Sequence, residues 1–287
     1  MKKDELLNHF GFKVMDRRME EVEPLLLQAA SDGRPLEIGL YYHDPATHDL
    51  FTSLLPGSGI PLCTHLDHRR LNVFALDDES VYESMRRQIE TSLHWGARCG
   101  VTHLSAFCLT KRPEHQAALV KKLMGLLRAL NRVCREYHFP IYLENTYHEL
   151  ELYRSLFQGI VREKLRFIHF CFDFGHAKVW SARPLRDWIG FMSELQQTGK
   201  SLHLHLHTNR GLSDEHLSFI EGEWLEICDM DDYTAPWNTF QALSVLDSLF
   251  PDALKIMEVP PQEGRENLQR VIEEITRIRR QEALISA

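Results

Sequence analysis

The sequence lacks several features that mark particular classes of protein. No apolar stretch reaches the ~20 residues that a membrane-spanning helix needs, so no membrane association is predicted. None of the six cysteines forms a CxxC pair, and the first ten residues are too charged for a secretory leader. We therefore expect reduced thiols and a cytoplasmic protein.

The chain also has fewer basic residues than acidic ones. The chain carries 33 Lys and Arg against 41 Asp and Glu, which gives a net charge of −8. A nucleic-acid binder needs a basic face for its phosphate contacts. The overall charge therefore disfavours a nucleic-acid partner, although it is compatible with a local basic rim. We expect a small-molecule substrate, and the composition leaves open whether the chain forms a homo-oligomer.

The chain alternates short apolar runs with longer amphipathic stretches. The runs that predict strands are residues 10–15, 36–42, 60–66, 101–108, 141–144, 167–173, 202–207 and 254–259. The stretches that predict helices are residues 80–95, 114–137, 185–197, 239–249 and 266–280, with a less regular one at 16–30. In the helical stretches apolar residues recur three and four positions apart, which is typical of a surface helix.

This alternation predicts right-handed βαβ units with parallel strands. Eight strands are the number that closes a barrel, and about 250 residues is a usual length for one. An open doubly wound sheet fits the alternation too, but no GxGxxG or GxxxxGK[ST] motif follows a strand to support it. We therefore predict one (β/α)₈ TIM-barrel domain over residues 1–287.

Residues that can bind metals lie at the ends of several predicted strands. They are His65, Glu144, Asp173, His203, His205, His207 and Glu258. Active sites of barrels lie at this edge, and buried carboxylates that meet there repel one another unless a cation joins them. A set of carboxylates with an imidazole suits Mn²⁺, Zn²⁺, Mg²⁺ or Co²⁺. The pattern therefore predicts an enzyme with a divalent metal at the mouth of the barrel.

Two details of this site are left open by the spacing. The three histidines of strand seven face the same side, because alternate residues of a strand do, so either His205 or His207 can reach the metal. Asp214 and His216 lie in an irregular segment, residues 208–237. This Asp-x-His pair suits a second metal. The alternative interpretation is an ordinary polar turn exposed to solvent.

Five segments carry a wider pattern along nearly the whole chain. They read LENT at 143–146, FDFGHA at 172–177, HLHTN at 205–209, DEHL at 214–217 and ME at 257–258. Together they resemble the xylose-isomerase-like barrel superfamily, which includes sugar isomerases, sugar epimerases and endonuclease IV. The resemblance implies that Glu144, Asp173, His205 and Glu258 are the shared metal ligands, which selects His205 over His207.

The resemblance extends to the endonuclease IV pattern, in which three zinc ions are bound. The matching positions are His65, Glu144, Asp173, His176, His205, Asp214, His216 and Glu258. At the end of the fourth strand, where that pattern has a histidine, we place Phe107, and a phenyl ring cannot bind a metal. The count of metal ions is therefore left between one and three, with His65, His176, Asp214 and His216 as the additional ligands.

The resemblance implies an isomerase or epimerase that acts on a sugar or a related small polyhydroxy carbonyl compound. Glu144 and Glu258 would act as base and acid in proton transfer through a metal-stabilised enediolate, and His65, His176 and Arg210 would hold substrate oxygens. The alternatives are a zinc-dependent phosphodiesterase acting on abasic DNA, a metal-dependent dehydratase or lyase, and a barrel that binds a ligand without catalysis. Phe107, Trp180 and Trp237 are expected to wall the pocket.

Overall fold

The structure, a computed structural model, describes residues 9–69, 78–104, 113–220 and 239–285. Within these ranges eight parallel strands pair in chain order, and the last is hydrogen-bonded to the first, which closes a barrel. The strands are β1 Phe10–Met15, β2 Leu36–Gly39, β3 Leu62–His65, β4 Gly100–His103, β5 Ile141–Glu144, β6 Ile168–Asp173, β7 Leu202–Leu206 and β8 Leu254–Met257. The predicted (β/α)₈ barrel is confirmed.

Helices connect the strands and form the outer layer. Those that the structure describes are α1 Met19–Asp32, α2 Pro45–Leu54, α3 Asp78–His94, α4 Pro113–Tyr137, α5 Leu150–Arg162, α6 Phe174–Trp180, α7 Leu185–Gln197, α8 Thr239–Leu249 and α9 Gly264–Ile285. The sequence patterns did not predict α2, α5 or α6, and α1 continues past Pro24. Across the described part of the chain, no helix has both the length and the apolar character needed to cross a membrane.

The outward face of the strands packs on this helical layer through large apolar side chains. Phe170 of β6 lies 5.4 Å from Phe157 of α5 and 5.1 Å from Phe191 of α7, measured between ring centroids. All three rings are buried. Burial of such a side chain stabilises a fold by about 1.5–3 kcal/mol, so contacts of this kind hold the helices against the barrel.

The inward face is polar at the level just below the mouth. Glu37 of β2 lies 3.1 Å from His203 and 3.0 Å from His205, both on β7. Because β2 and β7 are not neighbours in the barrel, these contacts cross its interior. Lys13 of β1 lies 3.3 Å from the same glutamate, and all four side chains are buried. The barrel therefore encloses a charged network directly beneath its mouth.

Asp16 joins the end of β1 to the loop that follows β2. Its carboxylate accepts hydrogen bonds from the backbone N–H groups of Tyr41 at 2.8 Å, Tyr42 at 2.7 Å and His43 at 2.7 Å, and from the His48 ring at 3.1 Å. Burial raises the pKa of Asp16, but the hydrogen bonds from His48 and the backbone outweigh it and lower the pKa below its ordinary value.

We expect Asp16→Asn to lower the free energy of unfolding by about 2 kcal/mol at pH 7, since hydrogen bonds to a charged acceptor contribute about 1.5–3 kcal/mol each and the amide keeps one oxygen. The folded-state pKa is depressed, so this stabilisation is present above the unfolded-state pKa and is lost as the pH falls through the folded one. Urea unfolding at pH 7 and pH 3 should therefore show a smaller difference at pH 3. Asp49→Asn, at an exposed position of α2, should stay within about 0.5 kcal/mol of wild type. An equal effect at both pH values would contradict the account.

Candidate metal centre and active site

The four predicted metal ligands meet at the carboxyl end of the barrel. The Nδ1 atom of His205 lies 3.0 Å from Oε1 of Glu258, 3.5 Å from Oε2 of Glu144 and 3.9 Å from Oδ2 of Asp173. Glu144 ends β5, Asp173 ends β6 and Glu258 follows β8. All four are buried, with at most 6% of any residue exposed. Four donors from four strand ends thus surround one small volume.

These donors fit a divalent cation. Two of these atoms, Oδ2 of Asp173 and Nδ1 of His205, are buried and make no hydrogen bond with any described residue. Buried carboxylates without compensation are costly. Without a metal, positive charge reaches these three carboxylates from Lys13 and from His205 and His176, whose pKa values are raised well above 6.5. A divalent ion would satisfy the unpaired atoms, and a set of three carboxylates with one imidazole suits Mn²⁺, Zn²⁺, Mg²⁺ or Co²⁺.

The pKa shifts of Glu258, Glu144 and His205 indicate that the centre of this group favours a positive charge. Burial raises the pKa of Glu258, but His205 and then Lys13 lower it to about 2. Burial likewise raises the pKa of Glu144, and His205 followed by His176 takes it well below its ordinary value. Burial lowers the pKa of His205, yet Cys171, Glu258 and the other surrounding groups raise it well above 6.5. The imidazolium of His205 therefore stands where a metal would, and metal binding would displace its proton.

The structure separates His205 from His207. His205 directs Nδ1 at the carboxylates, whereas Nε2 of His207 lies 3.0 Å from Oδ1 of Asp173. The His207 ring stacks on His216 at 4.0 Å with an angle of 14° between the planes. A Cβ at residue 175 would overlap the His207 ring, so the ring can occupy this position only because residue 175 is glycine. His207 thus belongs to a second group of ligands beside the first.

The second group contains His176, His207, Asp214 and His216, whose potential ligand atoms all lie within 4.8 Å of one another. The Nε2 atoms of His176 and His216 are each 3.3 Å from the Asp214 carboxylate. Burial lowers the pKa of His216, but the hydrogen bond to Asp214 and the charge of Glu258 raise it to about 9. The loop pair Asp214 and His216 therefore contacts the rest of this group, with 28% and 37% of the two side chains exposed, and a second metal there stays a prediction.

A third group lies on the opposite side of Glu144. Nε2 of His65 is 2.9 Å from Oε2 of Glu144, and the rings of His65 and His103 are 5.5 Å apart. His68 contacts His103, with ring centroids 3.6 Å apart. Burial, followed by the charge of His65, lowers the pKa of His68 to about 4. Burial also lowers the pKa of His103 well below 6.5, so both rings are neutral.

The prediction for the end of the fourth strand was wrong. Strand β4 ends at His103, and the next described residue, Leu104, is not part of it, so an imidazole occupies the strand end where we had placed Phe107. Phe107 itself lies outside the described residues. The sequence after His103 stays mostly apolar, LSAFC at residues 104–108. The apolar pattern therefore placed the end of the strand too late in the chain.

Members of all three groups line one cavity of about 530 Å³ at the mouth of the barrel, whereas Asp173, His205 and His207 lie beneath the described residues of its wall. Trp180 forms part of its wall, as expected, and its ring lies 4.4 Å from that of Tyr147 and 4.7 Å from that of His176. Trp237 lies outside the described residues. Arg17 and Arg18 contribute to the rim.

Arg210 takes part in a surface ion pair. Its guanidinium lies 2.6 Å from Oε1 of Glu215, and 46% of the arginine side chain is exposed. Arg210 is not among the described residues that line the cavity, whereas Glu215 is. A role for Arg210 in substrate binding stays a prediction that would require the ion pair to open.

Several residues of the site were not identified from the sequence. They are Lys13, Glu37, Tyr41, His68 and His103. Two of them, Lys13 and Glu37, could have been noticed in the sequence, because each is a charged residue within a short apolar strand, β1 or β2. The hydroxyl of Tyr41, 2.6 Å from Nδ1 of His65, follows a strand end, as catalytic-site residues of barrels do.

Comparison with known proteins identifies the fold. Neither the scan of protein-family models nor the search of curated proteins gave a match. Among solved structures, the TTHB071 protein from Thermus thermophilus, soaked with ZnCl₂, is 22% identical, with 93% of this chain and 98% of that chain covered and a TM-score of 0.67. A D-tagatose 3-epimerase-like protein is 18% identical, with 93% and 98% covered and a TM-score of 0.67.

Endonuclease IV from Thermus thermophilus is also similar, at 17% identity, with 94% of this chain and 99% of that chain covered and a TM-score of 0.58. At such identities the likeness concerns the fold. The chain has a closed (β/α)₈ barrel, the fold that it shares with these structures.

Proposed function

We propose that the protein is a metal-dependent isomerase or epimerase acting on a small polyhydroxy carbonyl compound. One observation carries this proposal: Glu144 and Glu258, from strands that are not neighbours, both lie within 3.5 Å of the same nitrogen of His205. Two ionised carboxylates at one metal position are what proton transfer between adjacent carbons needs.

The bound metal would polarise a substrate carbonyl as a Lewis acid and acidify the neighbouring C–H bond. Glu144 and Glu258 are ionised at neutral pH because their pKa values are lowered, so each is in the form that accepts a proton. One carboxylate would remove the proton from carbon and become a carboxylic acid, which would return this proton to the neighbouring carbon. Delivery to the opposite face would require the other glutamate to have taken up a proton from solvent first.

The cavity suits a small substrate. Its volume of about 530 Å³ falls within the roughly 300–1,000 Å³ usual for small-molecule sites. Tyr147 and Trp180 offer an aromatic wall for the apolar face of a sugar. His176 and His65 also line the cavity, and each would have to exchange a present contact, with Asp214 or Glu144, to bind a substrate hydroxyl group. The substrate-binding roles of these two histidines follow the sequence prediction.

Hydrogen exchange tests this proposal. Protein supplied with Mn²⁺ should exchange a substrate C–H proton in deuterated water for at least one member of a panel of aldoses, ketoses and keto acids, followed by proton NMR. Asp173→Asn, which removes a ligand charge, should abolish the exchange. A dehydratase would instead release water and lower the product mass by that of one water molecule. A blank result across the panel would contradict the proposal.

A second candidate is zinc-dependent cleavage of phosphodiesters at abasic sites in DNA. The observation that favours it is His103 at the end of β4, a strand end at which the endonuclease IV pattern has a histidine. With His65 and Glu144 it would form a third set of ligands at the mouth. Bound zinc ions would activate water and stabilise the leaving oxygen. Close to three zinc ions per chain by elemental analysis, together with nicking of an abasic duplex, would favour this function. One metal ion and no nicking would favour the isomerase.

A further inference from the structure

Glu37 lies at the centre of the buried network beneath the metal position. It is fully buried, and its Oε2 atom lies 3.0 Å from Nε2 of His205 and 3.1 Å from Nε2 of His203. The thiol of Cys63 donates to the same oxygen at 3.2 Å. The other oxygen, Oε1, faces the Lys13 ammonium at 3.3 Å. The surroundings of this carboxylate thus supply donors from three other strands, β1, β3 and β7.

The contact with His205 decides which of its ring nitrogens faces the metal position. A carboxylate only accepts hydrogen bonds, so Nε2 of His205 must carry the hydrogen that it shares with Glu37. Metal binding displaces the proton on Nδ1, and the lone pair that this frees is directed at Glu144, Asp173 and Glu258. A ring held in this tautomer is ready to bind a metal without rotation.

We propose that Glu37 is a positioning residue that fixes the tautomer and the orientation of His205 for metal binding. This role rests on the proposed metal centre and is independent of which reaction the centre catalyses. Lys13 completes the arrangement, because its ammonium contacts both Glu37 and Glu258. It thereby keeps the buried Glu37 compensated and links the positioning residue to a second ligand of the same metal.

A purely structural role would give a different result on substitution. Glu37→Gln keeps the size of the side chain, but its amide cannot accept hydrogen bonds at both terminal atoms. Loss of an outer partner of a metal-binding histidine typically weakens metal affinity about 10- to 100-fold. We expect a loss of that size for Mn²⁺ and Zn²⁺, measured by isothermal titration calorimetry of the full chain at pH 7.5.

Asp247 provides the matched control. It is also buried, and its carboxylate is 3.0 Å from Lys255 and 2.8 Å from Arg279, away from the cavity. Asp247→Asn should lower the melting temperature and leave metal affinity within twofold of wild type. If Glu37→Gln also stays within twofold, the positioning role is overturned. A wild-type chain that binds no metal would overturn it as well.

If Glu37→Gln fails to fold, the wild-type protein still decides the question. Two-bond ¹H–¹⁵N correlation spectra of the zinc-loaded chain report which nitrogen of each histidine carries hydrogen. We expect His205 to carry it on Nε2, and a hydrogen on Nδ1 would refute the role. Failure of the deuterium-exchange experiment would leave these readouts unchanged, so the two proposals can fail separately.

Discussion

Glutamine in place of Glu258 is expected to lower the rate of C–H exchange by about 10³-fold, because a positioned acid or base contributes about 10²- to 10⁴-fold. The substitution keeps the shape of the side chain and removes the negative charge that faces Nδ1 of His205 at 3.0 Å. The measurement is the initial rate of deuterium incorporation into the substrate identified by the panel, at saturating Mn²⁺ so that weaker metal binding does not limit it.

Glu266→Gln provides the control for this experiment. Glu266 lies in the first turn of α9 and is exposed, so the same chemical change there should leave the exchange rate within twofold of wild type. A Glu258→Gln protein that retains more than a tenth of the wild-type rate would show that this carboxylate neither transfers the proton nor supports the group that does.

Metal binding is expected to stabilise the folded chain strongly. A ligand at 100 times its dissociation constant that binds only the folded state contributes about 2.7 kcal/mol. For a chain of this size that corresponds to a rise in melting temperature of roughly 5 °C. Thermal unfolding with Zn²⁺ or Mn²⁺, before and after addition of a chelator, should show this rise and its reversal.

The sign of the pH dependence follows from His205. Its pKa in the metal-free fold is raised, so at lower pH the ring holds a proton that the metal must displace. The thermal shift caused by metal should therefore grow as the pH rises from 6 to 8. Asp173→Asn should remove most of the shift. An equal shift in wild type and this variant would place the bound metal somewhere other than the predicted centre.

The sequence was sufficient for the architecture. Strands β1 and β5 and helices α7 and α8 begin and end where the apolar patterns predicted. The missed helix α2 had a readable start, with Asp44 as N-cap and Pro45 in the first turn. The error at β4 has a physical cause. The residues after His103 remain apolar, and hydrophobicity alone does not show where strand pairing stops.

The candidate ligands could be predicted because parallel strands end at the same edge of a barrel. The network beneath them could not, because the contact between Glu37 and His205 joins strands that are far apart in the chain and meet only when the barrel closes. The choice of His205 over His207 depends on the rotation of each ring. Residue spacing carries no information about that rotation, although Gly175, which leaves room for His207, was visible in the FDFGHA segment.

Anomalous diffraction from crystals of the Mn²⁺- or Zn²⁺-loaded protein tests the central claim most directly. The account predicts a peak at the metal absorption edge within about 2.0–2.2 Å of Nδ1 of His205 and of oxygens of Glu144, Asp173 and Glu258. A fully loaded crystal with no peak among these four residues, or with a peak only between His176, Asp214 and His216, would contradict it.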